Sequence, residues 1–311
     1  MIVSGPADEG RHEPGDGPYF NESWYFDFSR DDGTGGYVRL GLYPNQKVAW
    51  YWAYVVSPEV GLVVVRDHEV PLPRGAALEV RAEGLWAECI CETPMEHWSL
   101  GLEAFAVRLD EPGDAYRGEI GERMPLGLDL EWEATTPVYD YPYEEGALGA
   151  HYEHAGIVHG EILVGDERIE FDGRGERDHS WGQRDWWAWG WHWTSFQIGD
   201  ELAVNAVKAD EMDGGIGYLW RTGEQVERVE PITGFMLETH HGVDDVPTAA
   251  RYVLNGELEV DVEVIAAAPV PLVAPDGRTS RFPRALCRYT TSEGTGTGWA
   301  EWLQVGRPVQ R

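Results

Sequence analysis

Hydrophobic and polar positions along this chain do not recur at helical spacing. No window shows a sustained 3.6-residue period, and 38 glycines and 19 prolines interrupt any long helix. Short runs rich in Val, Tyr, Trp, Ile and Thr are instead bounded by Gly, Pro, Asp or Asn, the signature of an all-β sandwich or barrel. Gly36 to Tyr43 and Val48 to Val56 flank Pro44-Asn45-Gln46-Lys47 and predict a hairpin. Trp189 to Ile198 and Glu201 to Lys208 flank Gly199-Asp200 and predict another. Strands are also expected over Trp24 to Phe28, Leu85 to Cys91, His151 to Val164 and Arg168 to Phe171. Residues Asp110 to Gly127 read as loop, and Thr136 to Gly149 is irregular. A boundary there gives two units, 1–145 and 146–311. Glu22-Ser23-Trp24 and His179-Ser180-Trp181 form a short repeat, which predicts equivalent places for Trp24 and Trp181 in two similar halves.

Composition narrows the function. The formal charge is -31, from 24 basic against 55 acidic residues. Such a surface repels phosphate backbones and anionic headgroups, so no nucleic acid and no stable membrane association are expected. No apolar run approaches the roughly 18 residues of a membrane span, and no secretory signal is visible, which makes a cytoplasmic location the default expectation. Cys89, Cys91 and Cys287 make neither a disulfide framework nor a zinc site. His151, His154 and His159 do not share one strand face, so no metal and no cofactor are expected.

The stretch from Gly173 to Trp193 is the candidate centre of chemistry. It holds Trp181, Trp186, Trp187, Trp189, Trp191 and Trp193, interleaved with Asp178, His179, Arg184, Asp185 and His192. It reads as a loop that leads into a strand. Indole faces attract cations, and burial shifts the pKa of acids and imidazoles. Asp178 is either an acid kept neutral by desolvation or an anchor paired with Arg177, Arg184 or a backbone amide. His179 either orients Asp178 and takes a proton or is a hydrogen-bonded core histidine. Glu22 is a second acid candidate. Asp185 is expected to pair with Arg184. Trp189, Trp191 and Trp193 share one strand face, and His192 takes the other.

Asp178-His179-Ser180-Trp181-Gly182 resembles the D-H-x-W-G signature of the lipocalin-like family of bacterial carotenoid 1,2-hydratases. Phe171 to Arg177 fits the loop before that signature, and Asn21-Glu22-Ser23-Trp24-Tyr25 is similar to the family's N-terminal Trp-Tyr strand. The wider set includes lipocalin-like Diels–Alderases and, more distantly, tocopherol cyclases. The resemblance implies two tandem lipocalin-like antiparallel β-barrels, the second carrying the D-H-S-W-G segment. It implies active-site roles for His179 and Trp181. The hydratases' acidic Asp falls by position on Asn205, so another carboxylate must supply the proton.

The reading that follows is a cofactor-independent enzyme acting on a small hydrophobic, isoprenoid-like substrate. Asp178 or Glu22 would protonate a double bond, with His179 assisting, and hydration or cyclisation would follow. Trp24, Tyr25, Trp181, Trp187, Trp191 and Asn205 would line the substrate site, and aromatic faces would hold a carbocation. The alternatives are a pericyclase that acts by orientation and a protein that only binds a hydrophobic metabolite. An unpaired carboxylate facing the cavity would favour acid catalysis.

Overall fold

The structure, a computed structural model, describes residues 4–118, 121–142, 149–222 and 227–309. Its strands are β1 (Phe20–Ser29), β2 (Gly35–Tyr43), β3 (Val48–Ser57), β4 (Gly61–Val70), β5 (Leu78–Ala82), β6 (Leu85–Thr93), β7 (His97–Leu109), β8 (Glu122–Ala134), β9 (Tyr139–Asp140), β10 (Ala150–Val164) and β11 (Glu167–Gln183). They continue as β12 (Trp191–Ile198), β13 (Leu202–Ala209), β14 (Ile216–Thr222), β15 (Glu227–Pro231), β16 (Phe235–His241), β17 (Pro247–Leu254), β18 (Leu258–Ala267), β19 (Val270–Val273), β20 (Thr279–Phe282), β21 (Arg284–Thr291) and β22 (Gly294–Val305). They form two large, curled antiparallel sheets. The first runs β4-β3-β2-β1-β11-β10-β8-β7-β6-β5, and β4 also pairs with β7, so its path returns on itself. The second runs β15-β14-β13-β12-β22-β21-β18-β17-β16, with β20 added beside β22. Among the described residues no helix is long and apolar enough to cross a membrane.

The two hairpins expected around Pro44 and Gly199 are present as β2–β3 and β12–β13. Other expectations change. β8 starts at Glu122, inside the expected loop. The expected boundary at 145/146 falls in residues 143–148, outside the described residues. Beyond it, β10 and β11 complete the first sheet, and the chain enters the second only after Gln183. The D-H-S-W-G segment therefore belongs to the first sheet. It is also strand, not loop. Phe171 to Arg177, expected as the loop before the signature, is strand as well, and its glycines permit close strand approach: a Cβ on Gly175 would lie 2.0 Å from the Asp27 carbonyl oxygen. The Ser-Trp repeat dissolves for the same reason. β1 and β11 are neighbours with Ser23 opposite Ser180 and Trp24 opposite His179, so Trp24 and Trp181 lie in one sheet and not in equivalent halves.

Alternation along β1 builds two cores at once. Trp24, Phe26 and Phe28 enter the interior of the first sheet with Leu130, Trp132 and Val158. Tyr25 faces the second sheet, in a cluster with Tyr37, Trp52, Trp193, Phe282 and Trp299. A separate apolar core lies within the second sheet around Val204, Tyr252 and Tyr289. Cross-sheet hydrogen bonds fix the packing: Trp299 Nε1 donates to the Phe28 carbonyl (3.0 Å), and Tyr37 donates to that of Ala268 (2.9 Å).

An N-terminal arm reaches the interior of the first sheet. Its 3-10 turn, Pro6–Glu9, brings the buried Glu9 to Arg177 of β11. Arg177 Nη1 donates to Glu9 Oε1 at 2.8 Å, and Tyr152 donates to Oε2 at 2.8 Å. Burial alone would raise the Glu9 carboxyl, but the charge and hydrogen bonds of Arg177 outweigh it and hold the pKa low. Glu9→Gln should therefore cost roughly 3–5 kcal/mol in urea denaturation at neutral pH, because it leaves a buried guanidinium uncompensated. The double change Glu9→Gln with Arg177→Met should recover much of that loss. The carboxylate's contribution is complete above the ordinary glutamate pKa of roughly 4.3 and fades as pH falls through the lower folded value. The gap between wild type and Glu9→Gln should close on acidification, and a gap that stays constant contradicts this account.

Candidate functional site

Where the two sheets meet, side chains from β1, β2, β10, β11 and β12 enclose a cavity of about 130 Å³. Its floor is polar. β10 and β11 pair with Glu153 opposite Asp178, and Tyr25 of β1 lies opposite Asp178 on the other side. His151, two residues before Glu153, shares its face. Its Nε2 lies 2.7 Å from Glu153 Oε1 and 3.5 Å from Asp178 Oδ2. The walls are aromatic, with Trp186, Trp189, Trp191, Trp193 and Phe282. Trp189 is 42% exposed, so it lies where the cavity meets solvent.

The two carboxyls differ in electrostatics. Burial pushes Asp178 up, but His151, Arg184 and Arg39 outweigh that and hold it below the ordinary aspartate value. Asp178 is thus an anion, and its Oδ1 has no hydrogen-bond partner among the described residues. Glu153 is fully buried, and burial holds its pKa up against the opposing pull of His151. Trp193 Nε1 donates to both its oxygens (3.1 and 3.0 Å), and Asn205 Nδ2 donates to Oε2. Two carboxyls whose environments drive their pKa values apart, with an imidazole between them, are a natural acid and base.

More buried acid lies behind Glu153. Glu176 accepts from Tyr218 (2.9 Å) and Ser195 (3.0 Å), and burial raises it well above its ordinary value. Asp27 accepts from Tyr25 (2.9 Å) and from the Glu176 backbone N–H (2.8 Å), and burial pushes it up to about 7.

Of the residues given a catalytic or substrate-binding role in the sequence, Asp178, Tyr25 and Trp191 line this cavity, as do Arg184, Asp185, Trp186, Trp189 and Trp193 of the same tryptophan-rich stretch. Asp178 is an anion there, contrary to the neutral acid considered first. His179 points the opposite way, because neighbours on a strand face opposite sides. Its ring stacks on Trp24 (4.5 Å), its Nε2 lies 3.2 Å from Glu22 Oε1, and its Nδ1 lies 3.1 Å from the Tyr152 hydroxyl. It cannot orient Asp178. Glu22 is on that same interior face, 2.7 Å from His12 Nδ1, and His12 stacks on Trp181 at 3.7 Å. Glu22, Trp24, His179 and Trp181 thus form an interior cluster closed by the arm. Trp187 is buried beside Leu272, away from the cavity wall. Asn205 lies behind Glu153 and also accepts from Tyr141. Asp185 pairs with Arg278 at 3.0 Å, not with Arg184. His192 is in the second core beside Trp302.

His151 and Glu153 were missed as a site. Their shared parity was visible in His151-Tyr152-Glu153-His154, but their register against Asp178 was not. The same is true of metal-type ligands. His12, Glu22 and His179 gather their ligand atoms within 4.8 Å, as do His151, Glu153 and Asp178. Spacing along one strand could not show either group, since each is assembled across strands or from the arm. Each carries nitrogen and oxygen donors suited to a divalent cation.

The family described as "Domain of unknown function (DUF7064)" matches residues 5–306. No curated protein matches the sequence. Among solved structures, a Nitrosomonas europaea protein provisionally named AttH is 15% identical, with a TM-score of 0.66 over 99% of this chain and 98% of its own. Kievitone hydratase from Nectria haematococca is 13% identical, with a TM-score of 0.53 over 92% of this chain and 89% of its own. CghA, solved with Sch210972, is 12% identical, with a TM-score of 0.56 over 94% of this chain and 90% of its own. These are likenesses of fold, and they agree with the lipocalin-like fold that the D-H-S-W-G segment implies.

The raised acids between the sheets should be visible in stability. A carboxyl raised by folding contributes fully below its unfolded pKa, and that contribution is lost as pH rises through the folded value, here about 7 for Asp27. Asp27→Asn should therefore stabilise the protein by a few kcal/mol, on the order of the shift, near pH 8 and by much less near pH 5. Melting temperatures at the two pH values check this, and an equal effect at both contradicts a raised Asp27.

Proposed function

The chain belongs to this DUF7064 family, and we propose that it is a cofactor-independent enzyme that moves protons to and from a double bond of a small, apolar-bodied molecule, leading to hydration or cyclisation. The carrying observation is the aromatic cavity whose floor holds a protonatable Glu153 and an anionic Asp178 on either side of His151. An unpartnered carboxylate oxygen on the cavity wall favours acid–base chemistry over a pericyclase or a carrier. That one solved structure of this fold is named a hydratase supports the same reading. Each curled sheet is read as one lipocalin-like barrel, with the reaction where they meet.

In this reading the proton donor is Glu153, in place of Asp178. For hydration, the Glu153 proton forms a C–H bond at one alkene carbon, and water oxygen bonds the other. The displaced water proton passes to Asp178. His151, in reach of both carboxyls, returns it from Asp178 to Glu153 and resets the site. Tyr25, Trp186 and Trp191 exclude bulk water and orient the substrate. For cyclisation, an internal nucleophile takes the place of water.

The test uses deuterium oxide and a panel of isolated and conjugated alkenes, with product mass spectrometry. Wild type should place deuterium on carbon. Glu153→Gln should reduce turnover by roughly 100-fold or more, with ligand affinity close to wild type and a melting temperature no lower than that of wild type. Asp178→Asn should also slow turnover and remove the acidic limb of the pH profile, the side on which a base is lost by protonation. Full activity in Glu153→Gln would remove Glu153 from the donor role.

A further inference from the structure

Three arginines line the cavity of this acidic protein: Arg39, Arg184 and Arg284. Arg39 and Arg284 are only 3% and 2% exposed. Arg39 lies between Trp52 and Trp186, 4.7 and 5.1 Å from their ring centroids. Gly41 makes the room, since a Cβ there would come within 2.3 Å of Arg39 Nη1. Arg284 lies on Tyr25 and Tyr37 at 4.4 and 4.2 Å, with one nitrogen 3.1 Å from Glu301. Stacking fixes both guanidinium planes and so aims their N–H groups.

Apart from the Arg284 nitrogen on Glu301, most of those N–H groups have no partner among the described residues. Tyr43 supports the Arg39 charge at hydrogen-bonding range, yet neither Nη atom meets hydrogen-bond geometry with any described residue. Arg284 Nε and Nη2 are likewise unpartnered among the described residues. Leaving donors of a buried cation unmet is costly. Nor do local acids balance the charge. Among the described residues Asp185 is taken by Arg278 and Glu301 by Arg284, which leaves Arg39 and Arg184 facing Asp178 as the one cavity anion there.

We propose that the ligand of this cavity is an anion with a conjugated, apolar body, its carboxylate or enolate oxygens seated on the free donors of Arg39 and Arg284. The proposal rests on the reading of this cavity as the reaction site and names its substrate class. It also selects the course of the addition. A free carbocation would form beside fixed guanidinium groups, and the faces of Tyr25 and Trp186 already hold cations. Negative charge is what this environment stabilises. In an α,β-unsaturated carboxylate, water oxygen bonds the β-carbon as the π electrons move onto the carboxylate oxygens as an enolate. The water proton goes to Asp178. Glu153 then gives its proton to the α-carbon as the enolate collapses, and His151 returns the proton from Asp178 to Glu153. Alkene and water give the β-hydroxy product, with no oxidant or reductant required.

The experiment compares trans-cinnamate with its neutral isostere cinnamamide, by calorimetry and tryptophan quenching on the full chain. Wild type should prefer the acid by roughly tenfold or more, the scale of one charge-assisted hydrogen bond. Arg39→Gln and Arg284→Gln should each reduce that preference and leave amide affinity within about twofold. Arg39→Lys should restore part of it. Equal binding of acid and amide by wild type, or no binding of either, overturns the proposal without relying on any variant. So does a full preference retained in both glutamine variants. Glu153→Gln should keep the preference for the acid, so loss of its donor role and loss of the anion seat are read in separate measurements.

Discussion

The register between β1 and β11 is the constraint on which this molecule depends. With Tyr25 fixed opposite Asp178 and Trp24 opposite His179, strict alternation sorts consecutive residues onto two faces of one sheet. A slip of one residue would send Asp178 into the first core and Arg177 into the cavity. The pairing is held from both sides. Glu9 neutralises Arg177 on the interior face, while the Asp27 carboxyl accepts from the Glu176 backbone on the other. Each face thus acquires its own polar cluster from the same two strands, and the clusters have different electrostatics. On the interior face, Glu22 is held low by His12 and His179 against its burial, as is Glu9 by Arg177. Between the sheets, Asp27, Glu153 and Glu176 are all raised.

That contrast separates a structural cluster from a reactive one. Paired low-pKa acids contribute stability near neutral pH. Three raised acids packed together cost stability there, and apart from the Asp27 bond to the Glu176 backbone the packing of the sheets does not call for acids at those places. Hydrophobic residues of similar volume would hold the sheets together at least as well. A costly polar group that folding does not need is the usual mark of a site kept for chemistry. The like charge of Asp178 adds to burial in raising Glu153, and a hydrogen bond from Asn205 holds it in place.

Much of the fold was legible because its strands carry their own punctuation. Pro44 to Lys47 and Gly199-Asp200 mark turns without help from distant residues. Phe171 to Arg177 reads as loop but is strand: a glycine that admits a neighbouring backbone looks, along the chain, like one that belongs to a loop. Among site residues, Asp178 and Trp191 could be found from the aromatic and acidic run, and Tyr25 from the N-terminal strand that resembles the hydratase family's. Glu22, Trp24, His179 and Trp181 could not be placed, since the motif names consecutive residues and alternation divides them between two faces. Glu153 became visible only through cross-strand register. Arg39 and Arg284 come from different sheets, 245 positions apart in the printed numbering, and no local pattern connects them.

The sign of a cavity's charge constrains chemistry more tightly than its shape. Structures of this fold with 12–15% identity share the curled sheets, and an aromatic hollow between sheets suits many apolar bodies. Aromatic walls alone would favour a cation, as the tryptophan count first suggested. Here the protein's own guanidinium groups occupy those faces, so the indoles and phenols serve to position arginine. The π systems that would have stabilised a carbocation instead support a seat for negative charge. A surface of net charge -31 repels the anion that this seat would hold, so recognition must come from short-range contacts inside the cavity. Such contacts are screened little by salt, whereas the long-range repulsion is screened strongly. Moderate ionic strength should therefore ease entry more than it weakens the bound state, the reverse of the behaviour of a protein that steers its ligand by surface charge.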